Sequence, residues 1–153
     1  MTSLENLVEQ IRSLIKELKA SVGEQISKRL GLTKNEQMVE KLNSFSHDCE
    51  ECQQLLHDTK NHLIYLNENI PHIDMNQHKK ITQKISTHLQ KTHKLLPEGY
   101  YLSLYMSIGI SIGVVFGLTI FDSIALGIPI GMSIGLAIGA GLDAEAKKKG
   151  KTI

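Results

Sequence analysis

A chain of 153 residues has room for one small soluble domain, up to about Pro97, and a short accessory segment, which are expected to act as one functional unit. The formal net charge of +1 argues neither for nor against a nucleic-acid partner, and none is expected. The first residues, Met-Thr-Ser-Leu-Glu-Asn, are followed by no apolar core of a secretory signal, so any membrane insertion is expected to be directed by a later apolar segment; a cytoplasmic soluble part would keep Cys49 and Cys52 reduced.

The first helix is predicted to start at Thr2, because Thr2 and Glu5 have the spacing of a capping box. Leu4, Val8, Ile11, Ile15, Leu18, Val22, Ile26 and Leu30 then recur at three and four residues and form one apolar stripe. Gly23 is a candidate bend and Gly31 a candidate C-terminal stop.

A second capping box, Thr33 and Glu36, predicts a helix running to Ile70. Its apolar series is Met38, Leu42, Phe45, Cys49, Cys52, Leu56, Leu63, Leu66 and Ile70, with Thr59 as the polar member, in heptad phase. Such a coiled-coil-like seam could recruit a soluble partner. Cys49-Glu50-Glu51-Cys52 is a CxxC placed mid-helix on this seam, where it reads as core packing. A zinc site would need two further ligands; His57 and His62 follow, but no partner CxxC does, so Cys49 and Cys52 are weak metal candidates and no cofactor is expected.

Asn67, Asn69 and Pro71 end the second helix, and Asp74 with Gln77 caps a third from Met75 to about Leu96, with the thinner stripe Ile81, Ile85, Leu89 and Leu96. No acid occurs between Asp74 and Glu98, whereas Lys79, Lys80, Lys84, Lys91 and Lys94 are all basic. These lysines are candidates for contact with anionic headgroups. All seven histidines precede Pro97; most lie off the apolar stripes and read as members of solvated faces.

From Tyr101 to Leu142 the chain is apolar except for Asp122. Asp122 and Ser123 divide it into two arms, each close to the ~20 residues a helix needs to cross a bilayer. Alternation of large and small residues would also suit strands, but the arms are about twice the ~9 to 11 residues of a membrane strand, so a helical hairpin is predicted. Gly109, Gly113 and Gly117 in the first arm, and Gly127, Gly131, Gly135 and Gly139 in the second, form unbroken four-residue series that read as packing ridges for hairpin closure or oligomerisation. A second small-residue series lies on nearly the opposite side, with Ser103, Ser107, Ser111, Val115 and Thr119 in the first arm and Ser133, Ala137 and Gly141 in the second. If the arms line a pore, Ser103, Ser107, Ser111 and Thr119 are its candidate lining. Tyr100, Tyr101 and Tyr105 fit an interfacial belt after the breaker Pro97-Glu98-Gly99. Lys147, Lys148 and Lys149 flank the far end, so both termini are expected on the cytoplasmic side.

Catalysis finds no support. Gly109 to Gly113 and Gly131 to Gly135 match the GxSxG pattern, but no histidine follows His93 to complete a triad. Gly150-Lys151-Thr152 lacks the opening glycine of a phosphate loop, since Glu145 stands there.

The text from Gly127 to Lys149 resembles the end of small bacterial glycine-zipper membrane proteins. The resemblance implies the bacterial cytoplasmic membrane and makes permeabilisation plausible, since related segments end some membrane-depolarising toxins. Pro129 departs from an uninterrupted packing face. The expected protein is therefore all-α, with an amphipathic bundle of about three helices at 1–97, a glycine-zipper transmembrane hairpin at 98–146 and a basic tail at 147–153. Two functional readings follow: a homo-oligomer that makes the bilayer leaky, and a membrane-anchored scaffold that recruits a soluble partner.

Overall fold

The computed structural model describes residues 3–153, Pro71 through its backbone only. The elements in order are α1 (Ser3–Leu30), α2 (Leu32–Phe45), α3 (Glu50–Glu68), a 3-10 turn (Ile70–His72), α4 (Met75–Lys91), α5 (Tyr100–Thr119) and α6 (Ile124–Lys148). The fold is all-α; among the described residues extended pairing is limited to one isolated bridge, between Leu96 and Thr152. The chain forms two compact units, one reaching to His93 and including Ile153, the other Lys94–Thr152.

In the N-terminal unit, α1 packs along α2 and α3, and α4 packs on α2 and α3. The core comes from Val8, Ile11, Ile15 and Leu18 of α1, Leu32, Met38 and Leu42 of α2, Leu55, Leu56, Leu63 and Leu66 of α3, and Ile85 and Leu89 of α4. These are the apolar stripes turned inward, because burying them is the main favourable term available to helices this rich in lysine and glutamate. The Met38 to Leu66 seam is thereby consumed inside the unit and is not a free docking face.

Several local expectations are corrected, while those at Gly23, Gly31 and Asp74 hold. The stretch Met38 to Ile70 is two helices, because Ser46, His47, Asp48 and Cys49 interrupt it. Ser46 Oγ donates to the Asn43 carbonyl at 2.7 Å and Gln53 Nε2 donates to the Ser46 carbonyl at 2.7 Å, so side chains satisfy groups that a continuous helix would pair internally. Cys49 is consequently the residue that precedes α3, and the CxxC stands at a helix N-terminus instead of mid-helix. Gly23 adopts φ 73° and ψ 170°, a conformation that strongly favours glycine, and breaks α1 into two segments; beyond it Ile26 is exposed and the stripe is no longer continuous. The Thr2 cap lies outside the described residues. Gly31, at φ 59°, both ends α1 and precedes α2, which has no side-chain cap; Glu36 instead pairs with Lys19 at 2.7 Å. Asp74 caps α4 as expected, accepting from the Asn76 and Gln77 amides at 2.8 and 3.2 Å. That helix ends at Lys91, short of Leu96.

Candidate functional site

The second unit is an antiparallel pair, α5 and α6, whose interface is built from backbone. Gly109, Gly113 and Gly117 face Gly127, Gly131, Gly135 and Gly139, and all seven are buried. A Cβ on Gly109 would overlap the Gly131 carbonyl, one on Gly113 the Gly127 carbonyl, and one on Gly135 the Tyr105 carbonyl. At Gly139 a Cβ would stand 2.7 Å from Leu102 Cα. Only hydrogen fits at these positions, which is why the four-residue glycine spacing continues through both arms. Gly141 is different: a Cβ there meets nothing within 4 Å. Pro129 leaves α6 unbroken, since its missing N–H forfeits a single bond close to the helix start.

The hairpin is fastened at both ends. At the tip Asp122 takes φ 49°, and the Ser123 amide donates to the Gly117 carbonyl at 2.8 Å. At the base the Asp143 carboxylate accepts from the Tyr101 and Leu102 amides, both at 3.0 Å. The N-terminus of α5 exposes unpaired amides and a positive dipole end, and Gly99 before it offers no side-chain cap, so an anion from α6 supplies both needs. Lys147 pairs with Glu98 at 2.7 Å, and the Leu96 amide donates to the Lys151 carbonyl at 2.8 Å. The tail after Ala146 is thus partly structured: Lys147 and Lys148 belong to α6, and Lys149 pairs with Glu145. Sequence reading passed over Asp143; the signal was an acid closing the second arm opposite a helix start with no cap of its own.

Outward, the pair presents Ile108, Ile112, Val115, Phe116, Leu118, Leu126, Ile134 and Ile138, all exposed. Fewer than a quarter of the residues in each apolar window are buried, 17% in α5 and 22% in α6, unlike a soluble core helix. Ser103, Ser107, Ser111 and Thr119 lie exposed on α5, their hydroxyls donating to the carbonyls of Gly99, Ser103, Ser107 and Val115. Tyr100 is exposed and Tyr101 and Tyr105 are half-buried, with the Tyr100 and Tyr101 rings edge to face at 5.4 Å. In the N-terminal unit Lys79, Lys80, Lys84 and Lys91 are exposed along α4, Lys84 paired with Asp58 at 3.1 Å; Lys94, in the second unit, is also exposed.

The histidines divide: His47, His57 and His72 are exposed, as the solvated reading expects, and others depart from it. His62, His78 and His88 are buried, because α3 and α4 turn them toward each other and toward α2. His78 Nε2 donates to the Leu30 carbonyl at 2.8 Å, which leaves His78 Nδ1 to accept from His62 Nε2 at 3.0 Å. Burial, and then the charge that His78 would carry, lowers His62 to about 4. The cysteines are also repartnered: neither His57 nor His62 joins them, but His88 and His93 do. Cys49 Sγ lies 3.4 Å from His88 Nε2, and Cys52 Sγ lies 3.2 Å from both His88 Nε2 and His93 Nε2. Burial, with Cys49 beside it, pushes the Cys52 thiol up to about 12, and burial followed by His88 lowers His93. Sequence reading missed both histidines, since 36 and 41 residues separate them from Cys52.

Two apolar helices of membrane-spanning length, closed on each other by glycine and left apolar on the outside, define an integral membrane hairpin protein. Residues 98–145 match the family described as glycine zipper membrane protein, which covers the hairpin and agrees with the resemblance seen in its second arm and tail. No curated protein and no solved structure matches the chain.

Proposed function

We propose that the hairpin is a prefolded two-span anchor that holds the N-terminal helical unit at the cytoplasmic face of the bacterial inner membrane. The observation that carries this reading is the use of all seven glycines inside one hairpin, which leaves large apolar side chains to meet lipid. Lysines flank the pair only at its base, before α5 and at the end of α6, so the positive-inside tendency puts both termini in the cytoplasm and the Asp122 turn outside. Lys79, Lys80, Lys91 and Lys94 add attraction to anionic headgroups, about 1 kcal/mol for each lysine that reaches the surface. A soluble partner would dock on the outer, charged faces of the unit, since its apolar seam is buried. The anchor has no catalytic task.

A second reading has its own support. Ser103, Ser107, Ser111 and Thr119, with Ser133, Ala137 and Gly141 on α6, leave small-residue ridges exposed, and such ridges let helices of separate copies approach. Self-assembly there would make a homo-oligomer with a hydroxyl-lined path through the bilayer. Dye and ion release from liposomes by purified full-length protein separates the readings. The anchor predicts full incorporation without release above empty liposomes. Release that Ser107→Leu abolishes would replace the anchor with the permeabilising oligomer.

A further inference from the structure

The start of α3 and the end of α4 bring together four side chains whose chemistry the hairpin does not use. Cys49 and Cys52 come from the turn that opens α3, His88 from the last turn of α4 and His93 from just beyond it. One ligand atom from each lies within 4.8 Å of all the others. We propose that Cys49, Cys52, His88 and His93 bind a single zinc ion in a closed, tetrahedral structural site.

Three observations support the assignment. First, the pairs read C-x2-C and H-x4-H, spacings that recur in structural zinc sites. Second, the distances fit. Zinc bonds of about 2.3 Å to sulfur and 2.0 to 2.1 Å to nitrogen, at tetrahedral angles, place sulfur and nitrogen about 3.6 Å apart. The three sulfur to nitrogen separations here are 3.4, 3.2 and 3.2 Å. Third, the outer atoms are arranged as metal-binding histidines require. His88 Nδ1 faces the Glu51 carboxylate at 3.0 Å, so Nδ1 carries the proton and the bare Nε2 points at both sulfurs. The His93 ring stacks on Phe45 at 3.9 Å, which fixes the direction of its own Nε2.

Thiol to imidazole hydrogen bonding alone accounts for less. Two thiols would share the one lone pair of His88 Nε2, whereas a metal uses all four donors. Four protein ligands also leave no open position, so the site is structural and unsuited to activating water. Its place explains its use: it ties the start of α3, just after the interrupted α2–α3 turn, to the end of α4. The inference stands apart from the membrane reading.

The test uses full-length protein in mild detergent, purified with a non-thiol reductant and no chelator. Metal analysis after zinc incubation and dialysis should find one zinc per chain, and cobalt exchanged into the site should show tetrahedral ligand-field bands with thiolate-to-cobalt charge transfer. Glu51→Gln should weaken zinc affinity about 10- to 100-fold while helicity is unchanged, because only the support of His88 is altered. Cys49→Ser and His93→Gln, both at half-buried positions, should lose stoichiometric metal and the charge-transfer band while His57→Ala keeps them. Wild-type protein that is folded and reduced yet retains no zinc would overturn the assignment. So would zinc retained at full affinity by Cys49→Ser and His93→Gln.

Discussion

The carboxylate of Asp143, near the end of α6, accepts the backbone amide of Tyr101 at the start of α5 at 3.0 Å. A second bond, from Leu102 at 3.0 Å, makes it a cap delivered across the hairpin instead of from the preceding residue. Asp143 both neutralises the α5 dipole end and joins the two arms, so the base of the hairpin depends on it. Asp143→Ala should destabilise the hairpin by about 1 to 2 kcal/mol, the range of a lost N-terminal cap. Unfolding in a denaturing detergent titration, followed by helical circular dichroism, measures the shift; an unchanged midpoint would show that the cap contributes nothing.

Glycine substitutions should divide sharply by position. Gly131→Leu or Gly135→Leu places a side chain where a backbone carbonyl already stands, and the arms must separate. Gly141→Ala should be neutral or slightly stabilising, since its Cβ meets nothing and alanine favours helix by about 1 kcal/mol. Spin labels at Leu104 and Ile138, both exposed, report the separation of the arms directly. A common distance in wild type and Gly131→Leu would contradict the glycine contact.

How much of this was legible depends on the range of the interaction. The two arms and their glycine ridges could be read because length, hydropathy and four-residue spacing are properties of adjacent sequence. The Asp74 cap and the Gly31 stop are local in the same sense. The break at Ser46 to Cys49 was hidden because Phe45, Cys49 and Cys52 keep the heptad phase across it, while the Ser46 and Gln53 side chains capture the backbone. The meeting of His88 and His93 with the cysteines, and of Asp143 with Tyr101, depends on which helix faces which, and no periodicity encodes that.

The N-terminal unit should lose stability in mild acid through His62. Its ordinary value is 6.5, and burial lowers it to about 4 in the fold. Between those values the unfolded chain binds a proton that the folded chain refuses. The contribution is therefore full above pH ~6.5 and falls away toward pH ~4, by roughly 3 kcal/mol in all. His62→Phe should flatten that slope, and an NMR titration of the His62 ring should find its midpoint near 4. A midpoint near 6.5 would refute the burial argument.

The lysine face of α4 predicts a salt-dependent effect that the hairpin does not. Lys79→Glu with Lys80→Glu should reduce association of the N-terminal unit with anionic vesicles by about 1 kcal/mol or more per site, and high salt should erase the difference. Limited proteolysis of α4 in vesicles of zwitterionic and anionic lipid measures this; equal protection in both would assign α4 to ordinary solvated surface.

The central claim is that α5 and α6 both cross the bilayer with their joined ends on one side. Single cysteines introduced as Asp122→Cys and Lys151→Cys, in a background with Cys49→Ser and Cys52→Ser, can be labelled with an impermeant thiol reagent from one side of sealed vesicles. The account predicts that the turn and the tail react from opposite sides. Reaction of both positions from the same side would contradict it and place the hairpin on the membrane surface.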